Sequence, residues 1–152
     1  MPNILTTSNF TQEPIKIPNA VNESAGLDDN AGLDRVISEN EKKLLREVLG
    51  ADQYVTLQEE LMKLPFNSQA SVSADQTYID LVNGKGVWAG LTPMLENFVF
   101  CAWLKTTEVT LTMLGAGKGK TDGFTVADNT GKYVERWDVF VDEYGGRRGC
   151  IA

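Results

Sequence analysis

Between Leu111 and Phe124 the chain reads LTMLGAGKGKTDGF, an apolar, β-branched lead into a glycine-rich loop ending Gly119-Lys120-Thr121. Bare amides, an amine and a hydroxyl in that order are the tools of phosphate binding. In a nucleotide-binding loop the amides wrap the phosphates, the lysine reaches them and the hydroxyl holds magnesium. The full pattern needs a glycine five positions before Gly119, and that position holds Leu114. It also needs a helix starting directly after the loop, so that free N-terminal amides face the phosphate. Here the loop is followed by DGFTVADNTG, whose two glycines and β-branched residues do not start one. The stretch DVFVDE, Asp138 to Glu143, imitates a magnesium-holding strand, but it falls inside a helical stripe. A phosphate-loop sheet with its crossover helices also needs more chain than this. A nucleotide-binding protein using Gly119, Lys120 and Thr121 is kept as an alternative only.

Other chemistry is sparse. The chain has no histidine, which removes the commonest general base and most zinc and non-haem iron sites. Cys101 sits in an apolar run and Cys150 near the end, without the spacing of a metal knuckle or redox pair. The acidic pairs Asp28-Asp29, Glu59-Glu60 and Asp142-Glu143 read as solvated surface, because neighbouring helical positions point different ways. Trp88, Trp103 and Trp137 read as core or interface anchors rather than a ligand pocket. No catalytic residue, cofactor or metal is expected.

The chain has 152 residues and a formal net charge of −7. Its length suits one domain. An acidic balance argues against a protein that coats nucleic acid, although Lys118 with Lys120 and Arg147 with Arg148 leave local basic spots. No apolar run approaches the roughly 20 residues that cross a bilayer. MPNILTTSNF lacks the basic start and apolar segment of a signal peptide, so a cytosolic or particle-bound protein is expected.

The elements that must position these residues are mainly helical. Residues 1–30 mix Pro, Asn, Asp and Gly with scattered apolar residues, which predicts an extended or disordered N-terminal arm. Ile4, Leu5, Phe10, Ile15 and Ile17 offer it apolar handles for a neighbouring subunit. From Leu33 the pattern turns helical, with Leu33, Ile37, Leu44 and Val48 on one stripe and Gly50 as terminator. Ser38 and Glu41 have capping-box spacing, but the period already holds at Leu33, so the longer helix is preferred. A second helix carries Tyr54, Leu57, Leu61 and Leu64, is stopped by Pro65, and closes an antiparallel hairpin. A short helix capped near Asp75 ends at Asn83-Gly84. Thr92 and Pro93 suit the cap and first turn of a helix that is apolar on nearly every side, either central in its bundle or shared between subunits. A last helix spans Tyr133 to Tyr144.

Between the last two helices, Val109, Leu111 and Met113 alternate with threonines, and Phe124 to Val126 offers a second extended piece. That predicts a β-hairpin or extended loop over 107–128 with a flexible tip at Lys118 and Lys120, which contact DNA or a partner. The expected architecture is mainly α: a helical bundle over 31–145 with that projecting ribbon, the N-terminal arm, and a short tail over 146–152. Ile15, Ile17, Trp88, Phe98, Trp103, Val109, Leu111, Met113 and Phe124 are the expected interface with a neighbouring subunit or another protein.

The stretch LDRVISENEKKLLREVLGADQYVTLQEEL resembles the opening helix hairpin of tailed-phage head–tail connector (adaptor) proteins of the Bacteroidetes-phage type. In them an apolar-periodic helix ends in Leu-Gly and the next carries a tyrosine, as Leu49-Gly50 and Tyr54 do here. GLTPMLENFVFCAWL, Gly90 to Leu104, resembles their aromatic-rich central helix, and a Thr-rich, Gly-containing segment and another helix follow in both. The resemblance covers roughly residues 33–144; the arm and tail depart from it. It implies a non-catalytic virion protein, a dodecameric ring below the portal that joins head to further neck or tail proteins. Genomic DNA would pass through without sequence-specific binding, with no membrane involved. A monomeric helical binding or regulatory module is the remaining alternative.

Overall fold

The computed structural model describes residues 2–17, 20, 31–113 and 129–145, with the backbone alone for 31, 107–113 and 129–130. Five α-helices make up the described fold: α1 (Ala31–Leu49), α2 (Ala51–Leu61), α3 (Gln76–Asn83), α4 (Leu91–Met113) and α5 (Asn129–Gly145). No β-strand occurs among the described residues.

α1 buries Leu33, Ile37, Leu44 and Leu45 along one line, and Glu41 lies buried on the same line. Asp34 in its first turn and Arg46 in its last suit the helix dipole. Gly50, at φ 79°, ends α1 by donating its N–H to Arg46 O at 3.1 Å. Its own carbonyl then accepts from Tyr54, so one residue serves both helices. Such a connection forces the hairpin, and α2 turns Tyr54, Leu57 and Leu61 into the core.

α2 stops at Leu61, three residues before the expected end at Leu64. Proline disfavours helical geometry in the residue before it, so Leu64 leaves the helix under the influence of Pro65. Leu64 instead exchanges backbone hydrogen bonds with the returning loop, donating to Val72 O at 2.8 Å and accepting from Ala74 N at 2.7 Å. α3 then starts as expected, Asp75 Oδ1 accepting from the Thr77 N–H at 2.8 Å. Gly84 and Gly90 bring the chain back to α4 through a backbone approach that excludes a side chain. A Cβ on Gly84 would lie 2.4 Å from Trp88 O, and one on Gly90 2.4 Å from Val82 O.

α4 is the centre of the bundle. It packs on α1, α3, α5 and the 3-10 turn Thr7–Phe10, which accounts for its apolar character on nearly every side. Leu91, Met94, Leu95, Val99, Phe100, Cys101 and Leu104 are buried. The helix begins at Leu91, so Thr92 is not its cap; Thr92 Oγ1 donates to Val82 O at 3.2 Å instead. Pro93 still falls in the first turn, where the missing N–H costs nothing.

Two expectations are corrected. The ribbon is helical where it is described: Val109, Leu111 and Met113 form the last turns of α4. Extending an existing helix needs no new nucleus, and Thr and Val lower its stability only by about 0.5 kcal/mol each. Lys118, Lys120 and Phe124 lie outside the described residues. The N-terminal arm is neither extended nor disordered over residues 2–17. It folds onto its own helices and puts Leu5, Phe10, Ile15 and Ile17, with Ala20, into the common core. The apolar handles were real, but this chain covers them itself.

Candidate functional site

The residues expected at an interface are dispersed. Ile15 and Ile17 are buried in the core, which corrects their assignment to a subunit contact in this conformation. Trp88 is half-buried in the α3–α4 loop, its Nε1 donating to Leu81 O at 3.3 Å. Trp103 and Phe98 are half-buried on α4 in different aromatic groups. Trp103 stacks on Phe100, with ring centroids 6.5 Å apart. Phe98 meets Phe140 at 5.1 Å and Trp137 at 6.3 Å. The side chains of Val109, Leu111 and Met113 lie outside the described residues.

Three surface features carry chemistry. The first is a cleft of about 350 Å³ between α1, α4 and α5, lined by Asn40, Lys43, Phe98, Lys105, Tyr133 and Trp137. Lys105 Nζ lies 5.1 Å from the Tyr133 ring centre and 5.9 Å from that of Trp137. The neighbouring Tyr133 raises its pKa, so the ammonium stays charged over two π faces. Cys101 beneath is buried, its thiol pushed up to about 11 by desolvation, and it donates weakly to Tyr133 O at 3.8 Å. A thiol in that state is a packing group rather than a nucleophile.

The second is the outward face of α2. Val55 and Met62 are each 56% exposed. With Pro2, Tyr54, Gln58 and Glu59 they line a groove of about 490 Å³. Asp52, Val55, Glu59 and Met62 recur at helical spacing, so this face alternates carboxylates with bare apolar side chains. Val55 and Met62 lie off the α2 stripe, so the core pattern does not mark this face; two apolar residues seven apart on the polar side are its signal in the sequence. Glu60, the neighbour of Glu59, turns inward and accepts from the Asp75 N–H at 2.7 Å and from Lys63 Nζ at 2.5 Å.

The third is the seam that holds the N-terminal segment. Glu41 offers one oxygen to the Ile4 N–H at 2.7 Å and the other to the Leu5 N–H at 3.1 Å. It is 2% exposed, and desolvation pushes its carboxyl up to about 7 against the pull of those two bonds. Burial also raises the Tyr54 hydroxyl, helped by the Glu41 charge. Around the same seam, Asn3 Nδ2 donates to Ser38 Oγ at 2.9 Å and Asn9 Nδ2 to Glu96 Oε1 at 2.9 Å.

Among the described residues, no group of three or more His, Cys, Asp or Glu side chains is placed to hold a metal ion. No described helix is long and apolar enough to cross a membrane. No protein-family model, curated protein or solved structure matches the chain.

Proposed function

We propose that the chain is a structural subunit of a tailed-phage neck, a head–tail connector that forms a dodecameric ring below the portal and lines the DNA path. The reading starts from the resemblance of α1, α2 and α4 to connector helices. The fold agrees with it in the one-residue α1–α2 junction at Gly50, the inward Tyr54, and the aromatic-rich α4 at the bundle centre. The observation that carries it is the α2 face, where Val55 and Met62, each 56% exposed, share a groove; among the described residues Val72 and Val87 are exposed singly on loops, and Val134 and Val141 on α5. Uncovered apolar side chains gathered on one face mark protein contacts. An acidic subunit also suits a channel wall along which DNA slides without sticking. In this reading the portal and further neck or tail proteins are the partners, and Lys118 and Lys120 touch DNA or a neighbouring protein.

Co-purification with the portal protein of the same phage, with mass measured by light scattering, tests the proposal. A complex carrying many copies of this chain per portal is expected. A portal that elutes without the chain contradicts it.

A further inference from the structure

A ring needs two different surfaces on each subunit, because a head-to-tail contact pairs unlike faces and closes by rotation. The α2 face is one: acidic at Asp52 and Glu59, apolar at Val55 and Met62. A matching face lies on α1. Lys42 and Arg46 are exposed on the side of α1 opposite its buried line, continuing the stripe begun by Arg35. Arg35 is held by Glu39 at 2.8 Å, whereas none of Lys42, Arg46, Asp52 and Glu59 forms a salt bridge among the described residues.

Resting on the ring reading above, we infer that the acidic–apolar α2 face of one copy docks on the basic α1 face of the next. At 1.5 Å per residue, Lys42 and Arg46 stand about 6 Å apart along α1 and Asp52 and Glu59 about 10 Å apart along α2, a difference their long side chains can span. Charge complementarity points to a second copy, since every chain carries both the cations Lys42 and Arg46 on α1 and the carboxylates Asp52 and Glu59 on α2. The apolar pair is accommodated as well. Lysine and arginine lay their methylene stems along apolar surface while keeping their charges in water, so Lys42 and Arg46 cover Val55 and Met62 while meeting Asp52 and Glu59.

The test uses two reversed chains, Asp52→Lys/Glu59→Lys and Lys42→Glu/Arg46→Glu, with the milder Glu59→Lys and Lys42→Glu as replacements should a double variant misfold by circular dichroism. Sedimentation velocity is run at millimolar protein and low salt, where surface charges are least screened. Wild-type chain self-associates, each reversed chain alone does so roughly ten- to hundredfold more weakly, and their equimolar mixture recovers association, because both junctions are again opposite in sign. Reversed chains that associate as wild type does, or a mixture that stays monomeric, overturn the inference while leaving the ring reading intact. A monomeric wild type under these conditions overturns it too. The ring reading itself falls only with loss of portal binding.

Discussion

Two buried glutamates in this small fold face opposite electrostatic fates. Glu41, under the N-terminal segment, has two backbone N–H donors and no ion-pair partner among the described residues, and burial pushes its carboxyl up to about 7. Glu60, at the corner between α2 and α3, has the Lys63 ammonium and the Asp75 N–H, and its pKa is lowered. At Glu41 the loss of water outweighs two amide donors, whereas at Glu60, where desolvation is smaller, the Lys63 ammonium and the Asp75 amide outweigh it. It also separates two kinds of junction. The α2–α3 corner is secured by charge, while the N-terminal seam is secured by apolar burial and merely tolerates a charge.

The strongest way to break that contrast is to remove the apolar plug of the seam. Phe10 is fully buried, so Phe10→Ala is expected to cost about 3–5 kcal/mol in urea unfolding. A loss below about 1 kcal/mol would mean that the N-terminal segment is not part of the core.

The next effect is pH dependence at Glu41. Its folded-state pKa of about 7 exceeds the ordinary 4.5, so the folded chain binds the extra proton between these values. The associated stability is complete below about pH 4.5 and is lost as pH rises through about 7, by at most about 3 kcal/mol. Urea midpoints across that range should fall for wild type and stay nearly level for Glu41→Gln; parallel profiles would refute the assignment. Glu60 provides the counterpart of opposite sign. Its contribution is present above pH 4.5 and lost on acidification, so Glu60→Gln should differ most from wild type near neutrality and converge with it in acid. A variant equal to wild type at pH 7 would show that the corner is not secured by charge. The smallest effect is expected from Lys118→Ala/Lys120→Ala, whose melting temperature should match wild type; a large drop would place that loop in the packed domain.

Much of this was legible in the sequence. The 3.6-residue period located α1, α4 and α5, and Asp75 and Gly84 marked the ends of α3. The end of α2 was missed because its apolar period continues to Leu64, although the restriction that Pro65 imposes on Leu64 was readable. Glu41 was read only as half of a possible capping box; a carboxylate on the line Leu33, Ile37, Leu44 was the sign that it must serve a buried partner. The alternation of Val109, Leu111 and Met113 looked like a strand because period alone does not register that a preceding helix can simply continue. The apolar residues of the N-terminal segment were identified correctly, but their partner was not. Period and composition say that a side chain will be buried, and only the fold says against which chain.

The exposed α2 face gives this bundle its proposed work, and imaging the chain with its portal tests that most directly. Electron micrographs of the mixture should show a closed ring of additional density coaxial with the portal, absent from portal alone. Portal particles indistinguishable from those without the chain would contradict the account.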